Sequence, residues 1–358
     1  MSAILQQELD YFLPSEWYPQ SGVQLTWPHA DTDWQPYLDD ITEVFVQLTQ
    51  TIAQYEKVMI VAQQAEEVQA LLKKRMSAEA LVNVMVYTLP TNDTWARDHG
   101  AITLVATSTQ NGFHNSHRLL DFRFNGWGKK FAADKDNAIT GQLYFDGLLS
   151  GSIENHNDFV LEGGAIESDG EGTVFTTSQC LLAPNRNQPM KRDEIEKELK
   201  RRLRAKRVVW LDHGTLIGDD TDGHIDTIVR TAPDNTLVYV GCEDENDEQY
   251  ADFKALKEQL QTLRTMDGEP YRLLKLPMPD AIYDDGDRLP ATYANYLIIN
   301  GAVICPTYRQ PEKDQAALKV IQAAYPDREI VAIDACTVIR QHGSIHCLTM
   351  QFPQGILR

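Results

Sequence analysis

The segment "HGSIHCLTM" (residues 342–350) has a polar, glycine-containing head followed by an apolar run that predicts a strand. Four other segments share this outline: "TWARDHGAITL" (94–104), "VLEGGAIES" (160–168), "DGHIDTIV" (222–229) and "YANYLIINGAVICP" (293–306). They recur at intervals of roughly 50–70 residues, as expected for a supersecondary unit repeated around an axis. A ring of such units would bring the five heads together at its centre. The pattern alone favours this ring no more than an ordinary doubly wound sheet.

Between the heads, helical and strand patterns alternate. The segment "YLDDITEVFVQLTQTI" (37–52) carries one apolar stripe at helical spacing, and "KVMIVA" (57–62) reads as a buried strand. A second helix, "RDEIEKELKRRL", leads into the strand "RVVWL", and a third, "DQAALKVIQAAY", leads into "EIVAID". This alternation predicts an α/β fold.

Composition limits the partners. The chain has 358 residues, 42% of them hydrophobic, and a formal net charge of −19. Such a surface repels nucleic acid and anionic lipid, so we expect neither as a partner, whereas a small cation would be attracted. The N-terminal stretch has no signal-peptide pattern, no apolar run approaches the length of a membrane span, and the five scattered cysteines suit a reducing compartment. These features predict a cytoplasmic protein.

Cys347 is a candidate nucleophile, with the base still to be found. Neighbouring residues of a strand point to opposite faces, so His346 would face away from Cys347 if this segment is extended. Most free cysteines are simply small buried hydrophobes. Cys347 differs because it occupies a head equivalent to those that carry Asp98, Glu162 and His224.

His224 and Asp226 are the candidates for proton transfer and substrate binding in "DDTDGHIDT" (219–227). Two residues apart, they would share one face of a strand, and histidine is the usual acid or base near neutral pH. The dense aspartates also suggest a calcium or zinc site. However, their spacing does not match a twelve-residue calcium loop, and no H-E-x-x-H zinc pattern occurs.

The remaining heads add acids and aromatic rings. Trp95 and Asp98 suit a planar cation, which the ring can stack on and the carboxylate can bind. Glu162 precedes a glycine pair that permits close ligand approach, and Trp127 lies in a Gly/Trp loop that could cover a site. Each of these is equally explained by a structural role. Together, three carboxylates, a histidine and a cysteine fit a guanidinium, which offers five donors in one plane.

At these residues the chain resembles the guanidino-group-modifying superfamily, and within it the agmatine deiminases and the Porphyromonas-type peptidylarginine deiminase-like family. The resemblance runs nearly end to end and rests on the motifs "WARDHG", "FNGWG", "LEGGAIESDGEGTVFTTSQCLLAPNRN", "GDDTDGHIDT", "ENDEQY" and "HGSIHCLTMQ". It implies a five-bladed α/β-propeller (pentein) with pseudo-fivefold symmetry and the active site on its central axis. It also implies one catalytic domain over residues 1–358.

The resemblance further implies roles for single residues. Cys347 matches the nucleophile that forms a covalent amidino-thioester, and His224 matches the general acid and base. Asp98 and Asp226 match the carboxylates that bind the guanidinium nitrogens, and Glu162 matches the one that supports the histidine and the guanidinium. Trp95 and Trp127 occupy positions that wall the pocket in the family. No cofactor and no metal are implied, and a homodimer is expected by analogy.

The expected reaction is hydrolysis of agmatine to N-carbamoylputrescine and ammonia. Asp219, Asp220 and Asp222 are candidates for binding the distal ammonium of agmatine, whereas Arg97 or Arg230 could bind the carboxylate of arginine. This chain has "QHGSIHC" and "GDDTDGH" where many agmatine deiminases have "GGGNIHC" and "GDETDGH", which leaves the exact substrate open. The alternatives are deimination of arginine or peptidyl-arginine, amidino transfer to an amine, and a non-catalytic binding scaffold.

Overall fold

A computed structural model describes residues 10–107 and 117–358. Helices and strands alternate along the chain, which confirms the predicted α/β class. The strands are β1 (Tyr11–Phe12), β2 (Gln20–Thr26), β3 (Lys57–Ala62), β4 (Val84–Thr88), β5 (Ile102–Ala106), β6 (His117–Arg123), β7 (Ser152–Val160), β8 (Ile166–Ser168), β9 (Thr173–Thr177), β10 (Arg207–Leu211), β11 (Val229–Ala232), β12 (Thr236–Gly241), β13 (Arg272–Pro277), β14 (Tyr283–Asp284), β15 (Asp287–Arg288), β16 (Leu297–Ile299), β17 (Ala302–Thr307), β18 (Glu329–Asp334) and β19 (Thr349–Pro353).

The longer helices run along the sheets, and the four-residue ones are single turns next to loops. The helices are α1 (Leu38–Ile52), α2 (Ala65–Arg75), α3 (Ala78–Leu81), α4 (Ala96–His99), α5 (Gly126–Lys129), α6 (Asp136–Phe145), α7 (Ser178–Leu181), α8 (Arg192–Leu203), α9 (Tyr250–Thr262) and α10 (Pro311–Ala324). None of the helices in the described ranges is long and apolar enough to cross a membrane. Residues 1–9, which belong to the stretch used in the signal-peptide argument, lie outside these ranges.

One strand–strand–helix–strand unit recurs five times in the described residues. In each unit a short strand pairs antiparallel with the next strand, which then pairs parallel with a third strand reached through one or more helices. The five triplets are β5-β6-β7, β8-β9-β10, β11-β12-β13, β16-β17-β18 and β19-β2-β3. Strands β1 and β4 extend two of these sheets, and β14 and β15 form a separate hairpin. This recurrence confirms the repeated unit inferred from the five heads.

The last unit joins the two ends of the chain. Strand β19, near the C-terminus, pairs antiparallel with β2, near the N-terminus, with Thr349 opposite Leu25. Strand β2 in turn pairs parallel with β3 after helix α1. The segment that carries Cys347 therefore packs against the first part of the chain.

Helical periodicity located α1, α8 and α10, whereas α9 was not predicted. In α1 the predicted stripe is buried: Ile41, Val44, Phe45, Leu48 and Ile52. Helix α8 spans the predicted residues, and Ile195, Leu199 and Leu203 are buried in it against the neighbouring strands. Burial of these stripes holds each helix on its sheet, because packing rather than propensity stabilises helices of this length.

Two strand predictions near the heads were wrong. His346–Leu348 forms one turn of 3-10 helix, and the strand begins only at Thr349. Ile225–Thr227 is likewise a 3-10 turn, and the next strand begins at Val229. Long-range hydrogen bonds fix the first turn, because the carbonyl of Asn295 accepts from the His346 N–H.

Candidate active site

The predicted heads lie in equivalent places of the repeated unit. Each occupies the turn or loop that comes just before the first strand of a unit, as His346–Leu348 does before β19. The same holds for Asp98, Glu162, His224 and Asp226, and for Asn295. Turns at strand ends leave side chains free to point toward a ligand while the sheets hold the backbone in place.

Cys347 lies beside a carboxylate and an amide. Its Sγ is 3.8 Å from Asp226 Oδ2 and 3.3 Å from Asn295 Oδ1, and its backbone N–H donates to the same Asn295 oxygen at 3.2 Å. Burial, followed by the charges of Asp226 and Asp98, raises the pKa of the Cys347 thiol well above its ordinary value. Asn295 belongs to the fourth head, but no sequence pattern indicated its contact with the sulfur.

Asp98 is fixed from two sides. Its Oδ2 accepts from the indole N–H of Trp127 at 2.9 Å, and its Oδ1 accepts from the backbone N–H of Gly164 at 3.0 Å. Trp127 lies in a loop with left-handed backbone, at φ 53°, between Gly126 and Gly128, which also have positive φ. The two glycines make this tight loop possible and bring the indole over the carboxylate.

His224 is fully buried near Asp98, with Nδ1 3.7 Å from Asp98 Oδ1. Burial alone would lower the pKa of His224, but the charges of Asp98 and then Cys180 outweigh burial and raise this pKa well above its ordinary value. Gly164 makes this crowding possible. A Cβ at Gly164 would lie 2.6 Å from His224 Nδ1, 2.9 Å from Asp98 Oδ1 and 3.3 Å from Asp226 Oδ2.

Glu162 is paired with an arginine that the sequence argument did not single out. Arg186 donates its Nε–H to Glu162 Oε1 at 2.9 Å, and its remaining nitrogens bind Asp222 Oδ2 and the carbonyl of Thr221. Arg186 lies within the quoted motif "LLAPNRN", which was the available signal. Asp222 is also paired with Lys130 at 2.8 Å.

A second set of charges lies behind Asp226. His346 Nδ1 is 2.7 Å from Asp226 Oδ2, and His346 Nε2 is 2.8 Å from Glu16 Oε2. Glu16 also accepts from the buried Arg230 at 2.6 Å. Burial would raise the pKa of Asp226, but the hydrogen bond with His346 and nearby positive charges lower it. His346 therefore supports Asp226 and is not placed as a base for the sulfur.

Arg230 is a structural cation rather than a surface one. It is completely buried, pairs with Glu167 as well as Glu16, and donates to the carbonyls of Ala294 and Tyr296. Arg97 is also buried and lines a separate pocket together with Glu16, Glu167 and His346.

A pocket opens onto Cys347. It is lined by Asp33, Asp93, Trp95, Asp98, Trp127, Phe131, Asp220, Thr221, Gln341, His342, Gly343 and Cys347. Trp95, Trp127 and Asp220, three of the predicted site residues, are among the residues that line this pocket. Asp222 does not line this pocket, because its carboxylate is held by Arg186 and Lys130. Neither do Arg97 and Arg230.

Burial raises the pKa of two pocket carboxylates. Desolvation, followed by the charge of Asp219, raises the pKa of Asp220 to about 6. Desolvation also raises the pKa of Asp93 to about 6, against the hydrogen bonds that it accepts. Both carboxylates are largely ionised at neutral pH, so the pocket wall is acidic there.

One buried group has the side-chain types that bind a transition metal. The ligand atoms of Glu162, Cys180 and His224 all lie within 4.8 Å of one another. Cys180 is fully buried in α7 and was not among the residues predicted from the sequence.

The repeated unit and its sheets define an α/β protein of the pentein class. Within this class, the sequence matches the Porphyromonas-type peptidyl-arginine deiminase family over residues 12–353, and the chain belongs to that family. The resemblance inferred from the motifs is thereby confirmed.

Similar proteins cover the whole chain. A Marinomonas protein provisionally named agmatine deiminase is 32% identical over 370 residues, covering 97% of this chain and 95% of the relative. A crystal structure from Porphyromonas gingivalis, provisionally named an arginine deiminase, is 48% identical with a TM-score of 0.90, covering 98% of this chain and 100% of its own. A cysteine-to-serine variant of C. jejuni agmatine deiminase with substrate bound is 35% identical, with a TM-score of 0.88 and full coverage of both chains.

Proposed function

We propose that this protein is an agmatine deiminase that hydrolyses the guanidinium of agmatine to N-carbamoylputrescine and ammonia. The proposal rests on the surroundings of Cys347. Its Sγ lies 3.8 Å from Asp226 Oδ2, and Cys347 lines a pocket together with Asp98 and two tryptophans. Carboxylates beside a sulfur suit a planar cation whose carbon must lie over the nucleophile. The similarity to C. jejuni agmatine deiminase supports the same reading.

In this proposal, binding of the cation prepares the nucleophile. Asp98 and Asp226 bind the guanidinium nitrogens and place the carbon over Cys347. The raised pKa of the Cys347 thiol means that it is protonated in the free protein. The positive charge of the bound substrate stabilises the thiolate, and the thiol proton leaves to solvent. Trp95 and Trp127 form the walls, and Glu162 supports His224.

His224 then transfers protons in both halves of the reaction. The thiolate attacks the guanidinium carbon, and protonated His224 gives its proton to the departing nitrogen as the C–N bond breaks and ammonia leaves. Neutral His224 next takes a proton from water, whose oxygen attacks the amidino-thioester carbon. The C–S bond breaks, the new carbonyl forms, and the released hydroxyl proton converts ammonia to ammonium.

The acidic wall favours agmatine over arginine. Asp33, Asp93 and Asp220 line the pocket, and among the described residues that line it there is no lysine or arginine. Agmatine carries an ammonium at its far end, which these carboxylates would attract, whereas arginine also carries a carboxylate. Asp222 would act indirectly, by holding Arg186 against Glu162.

We also infer how the five repeated units are arranged around the site. The five repeated units would close into a five-bladed propeller with pseudo-fivefold symmetry and the site on its axis. This closure is supported by the contacts that join heads of different units, such as Asp226 with Cys347 and Gly164 with Asp98. Residues 1–358 would form one catalytic domain, and a homodimer stays a prediction.

Ammonia release from a panel of guanidines tests the function. We expect turnover of agmatine, at least a tenfold lower kcat/KM for arginine and for a blocked arginine ester, and no turnover by Cys347→Ser. Preference for arginine would overturn the substrate assignment and favour the activity named for the P. gingivalis relative. No ammonia from any of the three would favour a binding scaffold.

A further inference from the structure

Cys180 is a buried thiol that the proposed reaction does not use. It lies in α7, completely buried, and its backbone N–H is capped by the hydroxyl of Thr177. Its sulfur, a carboxylate oxygen of Glu162 and a ring nitrogen of His224 lie within 4.8 Å of one another. Cys347, the proposed nucleophile, is not a member of this group.

The same group contains buried polar atoms without partners. Arg186 binds only Oε1 of Glu162, and among the described residues Glu162 Oε2 has no hydrogen-bond partner. Both ring nitrogens of His224 also lack one. Glu162 and His224 are completely buried. Buried polar atoms are costly when unpaired, and an unpaired carboxylate oxygen beside a thiol and an imidazole, each of which can release a proton, points to a ligand that is itself a cation.

Thiolate, imidazole and carboxylate together are the ligand types that zinc prefers. Zinc takes them at about 2.3 Å for sulfur and about 2.0–2.2 Å for nitrogen and oxygen, in a tetrahedron. Ligand atoms of one such tetrahedron lie about 3.5 Å apart. The three atoms are close enough to reach that geometry through small side-chain rotations, with a fourth position left for water.

We propose that Glu162, Cys180 and His224 form an inhibitory binding site for Zn²⁺. The inhibition rests on the proposed function, in which His224 must carry a proton and then accept one. Zinc would displace the thiol proton of Cys180 and a ring proton of His224 to solvent, and it would then occupy the His224 lone pair that the reaction needs. The metal is then a reversible inhibitor of the enzyme and not a cofactor of the reaction.

Zinc titration of the full chain tests the proposed inhibition. With the protein freed of metal, Zn²⁺ should inhibit ammonia release in a time-dependent manner, because the site is buried, and EDTA should restore the rate. Each variant is compared with its own zinc-free rate. Cys180→Ala should raise the inhibition constant at least about 100-fold, since even loss of a supporting partner costs 10- to 100-fold in metal affinity. Cys305→Ala removes another buried thiol outside the group and should leave the inhibition constant unchanged.

Co²⁺ gives a readout that does not depend on activity. A thiolate bound to Co²⁺ produces a charge-transfer absorption, which should appear at one equivalent in the original protein and in Cys347→Ala. It should vanish in Cys180→Ala and in Cys180→Ser, with thermal unfolding used to check that both variants fold. Loss of the band in Cys347→Ala but not in Cys180→Ala would overturn the proposal, as would the absence of a band in the original protein. A Cys180-dependent band in a protein that hydrolyses no guanidine would uphold the metal site and refute only the proposed function.

Discussion

At the scale of single residues, Gly164 is required because there is no room for a side chain. Gly164→Ala would place a methyl group 2.6 Å from His224 Nδ1 and 2.9 Å from Asp98 Oδ1. We expect kcat/KM to fall at least about 100-fold, because misplacing reacting groups by about 1 Å has that effect. Gly141→Ala is the matched control, since Gly141 lies in α6 with nothing within 4 Å of the added methyl. Activity near the original level in Gly164→Ala would contradict the assigned geometry.

Asp220 gives a prediction about pH at the same scale. Its pKa of about 6 means that the carboxylate becomes neutral as pH falls through 6. The KM for agmatine should therefore rise between pH 7 and pH 5, because a neutral acid attracts the distal ammonium less. Asp220→Asn should show a higher KM that depends less on pH. The pH dependence that remains would come from Asp93, whose pKa is also about 6. An alkylguanidine without the ammonium serves as the control substrate. An equal rise in its KM would show that Asp220 does not bind the distal ammonium of agmatine.

At the scale of elements, the left-handed turn α5 (Gly126–Lys129) contributes one hydrogen bond to the site. Trp127→Phe keeps the ring but removes the indole donor to Asp98. A hydrogen bond to a charged group contributes about 1.5–3 kcal/mol, so kcat/KM should fall about 10- to 100-fold. Trp210→Phe removes an indole donor to Glu196 in α8 and should leave the kinetics unchanged. Identical kinetics in the two variants would mean that Trp127 serves packing alone.

The 3-10 turn at His346–Leu348 shows what an element can decide. In an extended segment, Cys347 and His346 would simply point to opposite faces of one sheet. The turn instead places Cys347 at the open pocket, while His346 reaches Asp226 and Glu16 on the other side. Cys347 and His346 thereby contact the same carboxylate, that of Asp226, although each lines a different pocket.

At the scale of the whole molecule, Arg230 ties distant parts of the chain together. It pairs with Glu16 and Glu167 and donates to the carbonyls of Ala294 and Tyr296. Arg230→Met would remove the buried cation that Glu16 and Glu167 share, so we expect the free energy of unfolding to fall by about 3–5 kcal/mol, measured by urea denaturation. Arg309→Met breaks the exposed pair with Asp334 and should cost less than about 1 kcal/mol. Equal losses in the two variants would contradict the central role given to Arg230.

The sequence alone located several of the long helices and strands, and its motifs supplied most of the candidate site residues. Helices such as α1 and α8 were found because one buried face imposes a regular spacing that can be read locally. The five heads were found because each combines polar residues with a strand in the same order. Short turns such as Ile225–Thr227 were missed, because a few apolar residues fit a strand as well as a 3-10 turn.

Only the tertiary structure decided which side chains meet. The pairs Glu162–Arg186, Asp226–His346 and Glu16–Arg230 join residues 24, 120 and 214 positions apart. No local pattern encodes such pairs, because they depend on how the separate units pack against one another. The proximity of Cys180 to His224 likewise arises only when the units come together. The candidate site residues could therefore be identified from the sequence, whereas the partners of each side chain were decided by packing between the units.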